Sequence, residues 1–238
     1  METLIIFIVI IFFASILQTS TGFGFSIMAT PFLLLLFEPR EAIQINLILS
    51  FVISLALISK IKQDVDVTTL KRFIIGSLAG IPIGIITFVW IDMTVLKLTI
   101  SIIILCLTLL LILNYRIRQT LRRDYSIGGL SGAFTTFIGM PGPPILLYFS
   151  GTNTSKEVLR ATTLAFYLFI YLVSLITQII FVGTSKVSWI SSLEALPIVV
   201  VGLFVGQLLF KRINQQVFRI MTYLLLLFTG IYLLYQQL

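Results

Sequence analysis

The sequence of 238 residues contains no histidine and a single cysteine, Cys106. Without histidine, a Ser-His hydrolase is excluded, and Ser131 in "LSGA" has no base to activate it. A Cys/His metal cluster, an intrachain disulfide and a G-x-G-D aspartyl pair are also absent. "GFGF" lacks the preceding strand and the third glycine of a dinucleotide-binding loop. We therefore expect no enzyme activity, no bound metal and no cofactor.

Charge is the second shortage. Only 11% of the residues are charged, 58% are apolar, and the mean hydropathy is +1.13, whereas an average soluble domain carries about 25% charged residues. A chain with so little polar surface belongs in a bilayer. Glu2 is the only charge before residue 38, so the apolar N-terminus lacks the basic start of a signal peptide, and we interpret it as retained. One transmembrane domain over residues 1–238 is expected.

The net charge of +7 would suit a nucleic-acid partner. The basic residues, however, lie in short loops between apolar segments, as membrane orientation signals do. The expected partners are therefore the lipid bilayer and a small anionic substrate rather than nucleic acid, and a homodimer is left open.

Six apolar segments are long enough to cross a membrane, which requires about 20 residues. They are Ala42 to Ser59, Phe73 to Trp90, Val95 to Asn114, Arg160 to Val182, Leu193 to Phe210 and Val217 to Tyr235. Two further apolar stretches, 3–37 and 126–150, are interrupted by glycine and proline. Each of these is predicted to be either one broken crossing or a hairpin of two half-helices.

An internal repeat relates the two halves. "LAGIPIGIITF" from Leu78 aligns with "VVGLFVGQLLF" from Val200 at an offset of 122, and the broken segments align at Pro31 and Pro144. We predict repeat one over 1–114, a cytoplasmic linker over 115–125 and repeat two over 126–238. Each repeat is then a broken or re-entrant hairpin followed by three transmembrane helices, in an all-α membrane fold.

The positive-inside rule favours inverted repeats. With re-entrant hairpins, thirteen of the sixteen Lys and Arg residues share one side, and only Arg40, Lys97 and Lys186 lie opposite. With full crossings the repeats would be parallel and the division nine to seven. The inverted arrangement in the cytoplasmic (inner) membrane places both termini outside the cytoplasm, and parallel repeats remain the alternative.

A helix break in lipid is tolerated only where protein or an enclosed polar site satisfies the freed backbone groups. In a re-entrant hairpin the second half-helix starts near the midplane, with free N–H groups and a partial positive charge. Pro143 and Pro144 suit such a start, and Pro31 is a looser match. Two inverted hairpins would bring two helix starts together and form an anion site without Lys or Arg at membrane depth.

The candidate substrate-binding residues are the glycines, hydroxyls, amides and turn residues at these breaks. A back-bond to its own helix is the competing interpretation for each Ser or Thr. The candidates are Gln18, Thr19, Ser20, Thr21, Gly22, Gly24, Ser26, Thr30, Asn46, Thr135, Thr136, Gly139, Met140, Pro141, Gly142 and Pro143.

Other conspicuous residues receive structural interpretations. Glycines at spacing four, at 76, 80 and 84 and at 202 and 206, predict close helix packing. The many Phe and Tyr residues are interpreted as filler and interface anchors. Glu41 and Glu157, close in sequence to Arg40 and Arg160, are interpreted as partners in loop salt bridges rather than gates.

At these motifs the sequence resembles the sulfite exporter TauE/SafE family, also called the toluene sulfonate uptake permease family. "GGLSGAFTTFIGMPGPPILLYF" from Gly128 is similar to the second-half motif of the family, and "TGFGFSIMATPFLLLL" from Thr21 to its first-half motif. In the first motif, Phe25 and Ser26 follow Gly24 in place of the usual glycine triplet. The resemblance covers essentially the whole chain and implies a secondary carrier for small anions, often sulfur oxyanions or organosulfonates.

The leading hypothesis is an alternating-access transporter that exports a sulfite-like anion. A channel with the same helix-end site, a carrier for small carboxylates and a purely structural membrane protein are the alternatives.

Overall fold

The structure, a computed structural model, describes residues 2–113, 119–150, 152 and 154–210, with single positions between 224 and 235. From residue 2 to residue 210 the described chain is helical, without a strand. The helices are α1 (Glu2–Thr21), α2 (Phe25–Leu36), α3 (Pro39–Ile61), α4 (Val67–Trp90), α5 (Met93–Ile112), α6 (Leu121–Ile138), α7 (Gly142–Ser150), α8 (Lys156–Val182) and α9 (Lys186–Phe210), with a 3-10 turn at Lys62–Asp64. The predicted all-α fold class is confirmed.

Five helical stretches of the described chain are long and apolar enough to cross a membrane. They are Thr3–Thr21, Pro39–Asp64, Val67–Trp90, Lys156–Val182 and Lys186–Phe210. Four of them contain predicted spans, and α5 covers most of a fifth. The predicted span from Val217 to Tyr235 lies largely outside the described residues.

The helices begin earlier than the apolar runs, because polar caps start them in the loops. The Asp66 carboxylate accepts hydrogen bonds from the N–H groups of Thr68 and Thr69, at 3.0 and 3.1 Å, and starts α4 well before Phe73. Burial raises the pKa of Asp66, but hydrogen bonds from Thr69 and Thr68 and the charge of Arg72 bring it below its ordinary value. Thr120 caps α6 in the same way, so that the helix begins at Leu121, inside the predicted linker.

The polarity of the molecule is that of a protein in lipid. Large apolar side chains face outward, such as Ile83, Phe204 and Ile180, which are 62%, 68% and 71% exposed. Polar side chains are collected inside instead, at or near complete burial; Gln18, Thr30, Asn46, Thr135 and Gln178 are among them. An apolar exterior around a polar interior fits a bilayer as solvent.

Both glycine-containing segments fold back on themselves as hairpins. In the first, the rings of Phe7 near the start of α1 and Phe37 just after α2 lie 5.4 Å apart, edge to face. In the second, the Tyr148 hydroxyl near the end of α7 donates to the carboxylate of Asp124 near the start of α6. Residues at the two ends of each segment are therefore neighbours, and the glycines form the tips.

Helices α3 and α8 run antiparallel. At one end, the Gln44 amide of α3 donates to the carbonyl oxygen of Gly183, just after α8, at 2.8 Å. At the other end, the N–H of Asp66 donates to Thr162 in the first turns of α8 at 2.9 Å. The base of the first hairpin lies next to the start of α3. The base of the second hairpin lies near the end of α3, because Asp124 there pairs with Arg72, which lies early in α4. The hairpins thus enter the helix bundle from opposite ends.

The glycine stripes pack helices closely, as predicted from their spacing. A Cβ on Gly84 of α4 would contact Ala133 and Thr136 of α6, and one on Gly206 of α9 would contact Ile16 and Thr19 of α1. The two contacts are equivalent in the two halves of the chain, because Ala133 and Thr136 lie 117 positions after Ile16 and Thr19. The starts of α2 and α7 are also 117 apart. Each hairpin is therefore packed against a helix from the other half of the chain.

Candidate functional site

The tips of the two hairpins use backbone conformations that favour glycine. Gly24 between α1 and α2 has φ of +120°, and Gly139 after α6 has φ of +72°. Gly139 ends α6 by donating its N–H to the carbonyl oxygen of Thr135 at 2.9 Å, the single hydrogen bond of a left-handed (αL) helix cap. The prediction of broken helices at these glycines is confirmed.

The second arms of the hairpins start side by side. A Cβ on Gly142, the first residue of α7, would lie 3.1 Å from Cδ1 of Ile27 in the first turn of α2 and 3.0 Å from the Tyr167 hydroxyl. Gly24, the N-cap of α2, supplies no side-chain acceptor, so the first N–H groups of that helix have no capping side chain. The described chain thus places two helix N-termini, with their partial positive charges, next to each other.

Helix length sets the depth of these starts. The twelve residues of α2 span about 18 Å and the nine of α7 about 14 Å, at about 1.5 Å per residue. The hydrocarbon core of a bilayer is about 30 Å thick. Arms of this length carry the helix starts to about the middle of a membrane.

The prolines of the two hairpins are not equivalent. Pro143 and Pro144 lie in the first turn of α7, where a missing N–H costs nothing. Pro31 is the seventh residue of α2 and lies inside that helix. Aligning Pro31 with Pro144 was therefore wrong, and the helix starts, Phe25 and Gly142, give the correct register.

Several of the candidate hydroxyls are occupied by their own helices. Ser20, Thr21 and Thr135 donate to carbonyl oxygens of the preceding turn, at 2.7, 2.6 and 2.6 Å. Thr136 donates to Gly132 and also shares a hydrogen bond of 2.8 Å with Ser174 of α8. These hydroxyls satisfy or brace the hairpin backbone, as the back-bond interpretation requires.

Other candidates remain open. The hydroxyls of Thr19 and Thr30 and the Oε1 atom of Gln18 are buried without a hydrogen-bond partner in the described chain. Ser26, in the first turn of α2, accepts only a long hydrogen bond of 3.4 Å from Tyr171. Buried polar atoms are normally paired, so these atoms are available to a ligand.

Two of the candidate amides hold the hairpins in place. The Asn46 amide of α3 donates to the carbonyl oxygen of Gly139 at 2.7 Å. The Gln18 amide donates to the carbonyl oxygen of Ser50 at 3.1 Å and to the Ser54 hydroxyl at 3.3 Å. Helix α3 is thereby connected to the first hairpin through Gln18 and to the second through Asn46.

Sequence reasoning missed two tyrosines, because it assigned aromatic residues to lipid and interfaces. Tyr167 and Tyr171 of α8 are fully buried, with ring centroids 5.1 Å apart. The Tyr171 hydroxyl lies beside Ser26 and Ser50, and the Tyr167 hydroxyl beside Gly142, without a hydrogen-bond partner in the described chain. Their spacing of four in a helix is ordinary, so only the fold shows that both hydroxyls reach the helix starts.

Sequence reasoning was also wrong about Arg160. This residue was expected in a loop salt bridge with Glu157, but Glu157 lies 3.9 Å from Lys156 instead. Arg160 is only 6% exposed and packs against Gly22 at the tip of the first hairpin. An arginine side chain therefore lies beside the tip of the first hairpin, where no sequence pattern indicated one. Glu41, the other acid considered, accepts a hydrogen bond of 2.8 Å from Ser185.

Comparison with known protein families agrees with this architecture. The family model described as "Sulfite exporter TauE/SafE" matches residues 7–233, nearly the whole chain. The chain belongs to the TauE/SafE family. The family resemblance of the Gly128 and Thr21 motifs is thus confirmed. No curated protein and no solved structure matches the chain.

Membership of the TauE/SafE family decides the class of function. TauE/SafE proteins are membrane transporters and not enzymes, in agreement with the expectation of a transport protein without enzyme activity. The apolar exterior and long helices described above are those of a multi-pass membrane protein. The glycine-rich tips and adjoining helix starts are then the candidate site of this TauE/SafE transporter.

Proposed function

We propose that the protein carries a small anion of the sulfite type across the cytoplasmic membrane, by alternating access at the paired starts of α2 and α7. The observation that carries this proposal is the contact between Gly142 and the first turn of α2. Two helix N-termini at that point offer free N–H groups and positive potential to one anion. That the anion contains sulfur is supported by the family alone.

The proposed site comprises the sixteen residues named from the sequence, some of which bind the anion while others support the backbone around it. Gly24, Gly142 and Pro143 shape the helix starts, and Ser26 and Thr30 offer hydroxyls that have few or no partners. Tyr167 and Tyr171 add hydroxyls from α8. The Thr19 hydroxyl also has no partner in the described chain, whereas Asn46 and Thr136 hold the hairpin backbone in position.

Inverted repeats are part of the proposal. Helices α3 and α8 occupy corresponding places in the two halves, and they run antiparallel. Corresponding helices of parallel repeats would run in the same direction. Two inverted hairpins, each packed against the opposite half, are suited to expose one site alternately to the two sides.

The orientation follows from the distribution of basic residues. Lys60, Lys62 and Lys156 lie at the same end of the bundle as the base of the second hairpin, while Arg40 and Lys186 lie at the other end. By the positive-inside rule the first end faces the cytoplasm. The N-terminus, and by the repeat also the C-terminus, would then lie outside.

Export is the direction that membrane potential favours. Each negative charge that leaves a cell at about 100 mV, inside negative, gains roughly 2.3 kcal/mol. A carrier without a coupled cation could therefore expel a monoanion. Uptake would require a coupled ion, and the proposed site contains no carboxylate that could carry a proton.

Flux into proteoliposomes tests the function. Purified protein should give saturable uptake of labelled sulfite, with competition by related oxyanions and less by chloride. Liposomes preloaded with unlabelled sulfite should transiently accumulate labelled sulfite above its external concentration, because a carrier couples the two fluxes in counterflow and a channel does not. Absence of saturable oxyanion flux from correctly folded protein would refute the proposal, and flux that never saturates would favour a channel.

A further inference from the structure

The guanidinium of Arg160 is a buried charge that no carboxylate of the described residues neutralises. Arg160 is 6% exposed, and its Nε and Nη2 atoms have no hydrogen-bond partner in the described chain. The ion pairs found among the described residues are Arg72 with Asp124 and Lys156 with Glu157. Buried charges in proteins are normally paired, so this arginine requires another explanation.

Arg160 is held in a fixed position by its neighbours. Its guanidinium carbon lies 4.2 Å from the ring centroid of Phe210 at the end of α9. Its backbone and side-chain stem press on Gly22, where an added Cβ would lie 2.8 Å from the Cα of Arg160. A cation–π contact uses the face of the guanidinium and leaves the N–H groups at its edge available.

Two unpartnered hydroxyls belong to the same region. Thr163 lies one turn beyond Arg160 on α8, and Thr19 lies one turn before Gly22 on α1; both are fully buried without a partner in the described chain. Thr19 packs on Gly206, one turn from Phe210. A planar fork of donors with neighbouring hydroxyls matches the oxygens of a small oxyanion.

The corresponding place in the other half shows what is unusual here. At the offset of 117, Arg160 corresponds to Ile43 and Thr163 to Asn46, and both of these contact Gly139 at the tip of the second hairpin. The tip of the second hairpin is therefore held by an apolar side chain, Ile43, and by the hydrogen-bonded amide of Asn46. At the tip of the first hairpin, the equivalent positions are the charged Arg160 and Thr163, whose hydroxyl has no partner in the described chain.

We propose that Arg160 binds the transported oxyanion at the tip of the first hairpin, on the cytoplasmic side of the helix starts. The proposal rests on the anion transport proposed above and adds a charged residue to it. The anion would supply the missing negative charge, with its oxygens on Nε and Nη2. The partial charges of two helix ends would then not have to attract the anion alone.

Substitution of Arg160 tests this role, with Lys156 as the matched control. Lys156 stands over the same Phe210 ring at 5.1 Å, but its side chain is 45% exposed. Arg160→Gln should raise the KM for sulfite about tenfold to hundredfold, the loss expected for a hydrogen-bonded charge, while Lys156→Gln stays near wild type. Arg160→Lys keeps the positive charge but loses the planar pair of N–H donors, so its KM should lie between those of Arg160→Gln and the wild type.

A second readout separates binding from structure. Sulfite should raise the Tm of the wild-type protein and of Lys156→Gln, and raise that of Arg160→Lys much less. An unchanged KM in folded Arg160→Gln would overturn the role of Arg160 and leave the transport function standing. If Arg160→Gln does not fold, an unchanged KM and Tm shift in Arg160→Lys would overturn that role equally. Wild-type protein with neither sulfite flux nor a sulfite-dependent Tm shift would refute the transport function itself.

Discussion

The side-chain amide of Asn46 donates a hydrogen bond of 2.7 Å to the carbonyl oxygen of Gly139, ninety-three residues away. This bond joins α3, which belongs to the first half of the chain, to the tip of the second hairpin. It satisfies a carbonyl group that the helix break leaves free. Asn46 therefore helps to fix the second hairpin against the first half, together with the close packing of α4 on α6 and the Arg72–Asp124 ion pair.

Asn46→Ala should weaken the second hairpin, because it leaves a buried carbonyl oxygen without a donor at a cost of about 1–3 kcal/mol. We expect a lower Tm in detergent and reduced sulfite flux. Gln63→Ala is the control, since the Gln63 amide donates to Lys60 on the exposed surface and its loss should change neither. A wild-type Tm for Asn46→Ala would show that the bond does not hold the tip.

Close approach of α4 and α6 can be tested with two glycines on opposite sides of one contact. A Cβ on Gly80 would collide with the backbone of Gly129, whereas a Cβ on Gly129 would come no closer than 3.3 Å, to the Gly76 carbonyl oxygen. Both changes to Ala improve helix propensity by about 1 kcal/mol. Gly80→Ala should nevertheless lower the folded yield and the Tm clearly, and Gly129→Ala should be tolerated. Equal behaviour of the two variants would contradict the packing.

The base of the second hairpin contains a buried carboxylate. Asp124 is fully buried, accepts a hydrogen bond of 2.8 Å from Arg72 of α4 and a second from Tyr148 of α7, and so connects three helices. Arg72→Gln would leave this charge without its cation and should lower the free energy of unfolding by at least about 1 kcal/mol. Lys71→Gln, at the exposed neighbouring position, is the control. In a double-mutant cycle, Arg72→Gln should cost much less in an Asp124→Asn background; equal costs in both backgrounds would mean that the pair is not coupled.

Membrane orientation can be read by thiol labelling in a Cys106→Ala background. Gln63 lies in the turn between α3 and α4, and Lys186 is the first residue of α9, at the opposite end of the bundle. A membrane-impermeant maleimide added to intact cells should label Lys186→Cys and should label Gln63→Cys only after the cells are opened. The reverse pattern would place the termini in the cytoplasm, and labelling of both from outside would contradict the inverted arrangement.

Much of this architecture could be predicted from local pattern. Hydropathy located the spans, and glycine spacing located the packed faces, because both are properties of single helices. The breaks at Gly24 and Gly139 were equally visible, since few other residues adopt their backbone conformations. The alignment of the two hairpins could not be predicted in the same way. Pro31 and Pro144 look equivalent in the sequence, but the structure shows that Phe25 and Gly142, the first residues of α2 and α7, are the equivalent positions.

The site was less predictable than the fold. A hydroxyl at a break can bond to its own helix, as in Thr135, or remain free, as in Thr30, and the choice depends on neighbours from other helices. Tyr167 and Arg160 lie far from either break in sequence and reach the tips only because α8 crosses the bundle. Tertiary contacts of this kind leave no local signal.

An experimental structure with bound selenite, an analogue of sulfite that can be located by its anomalous signal, tests whether the anion binds between the two hairpins. Anion binding at the paired helix starts predicts a selenium peak near Ser26 and Gly142, with selenite oxygens within hydrogen-bonding range of the first N–H groups of α2 and α7. Selenium bound only outside the region between the two hairpin tips would contradict it.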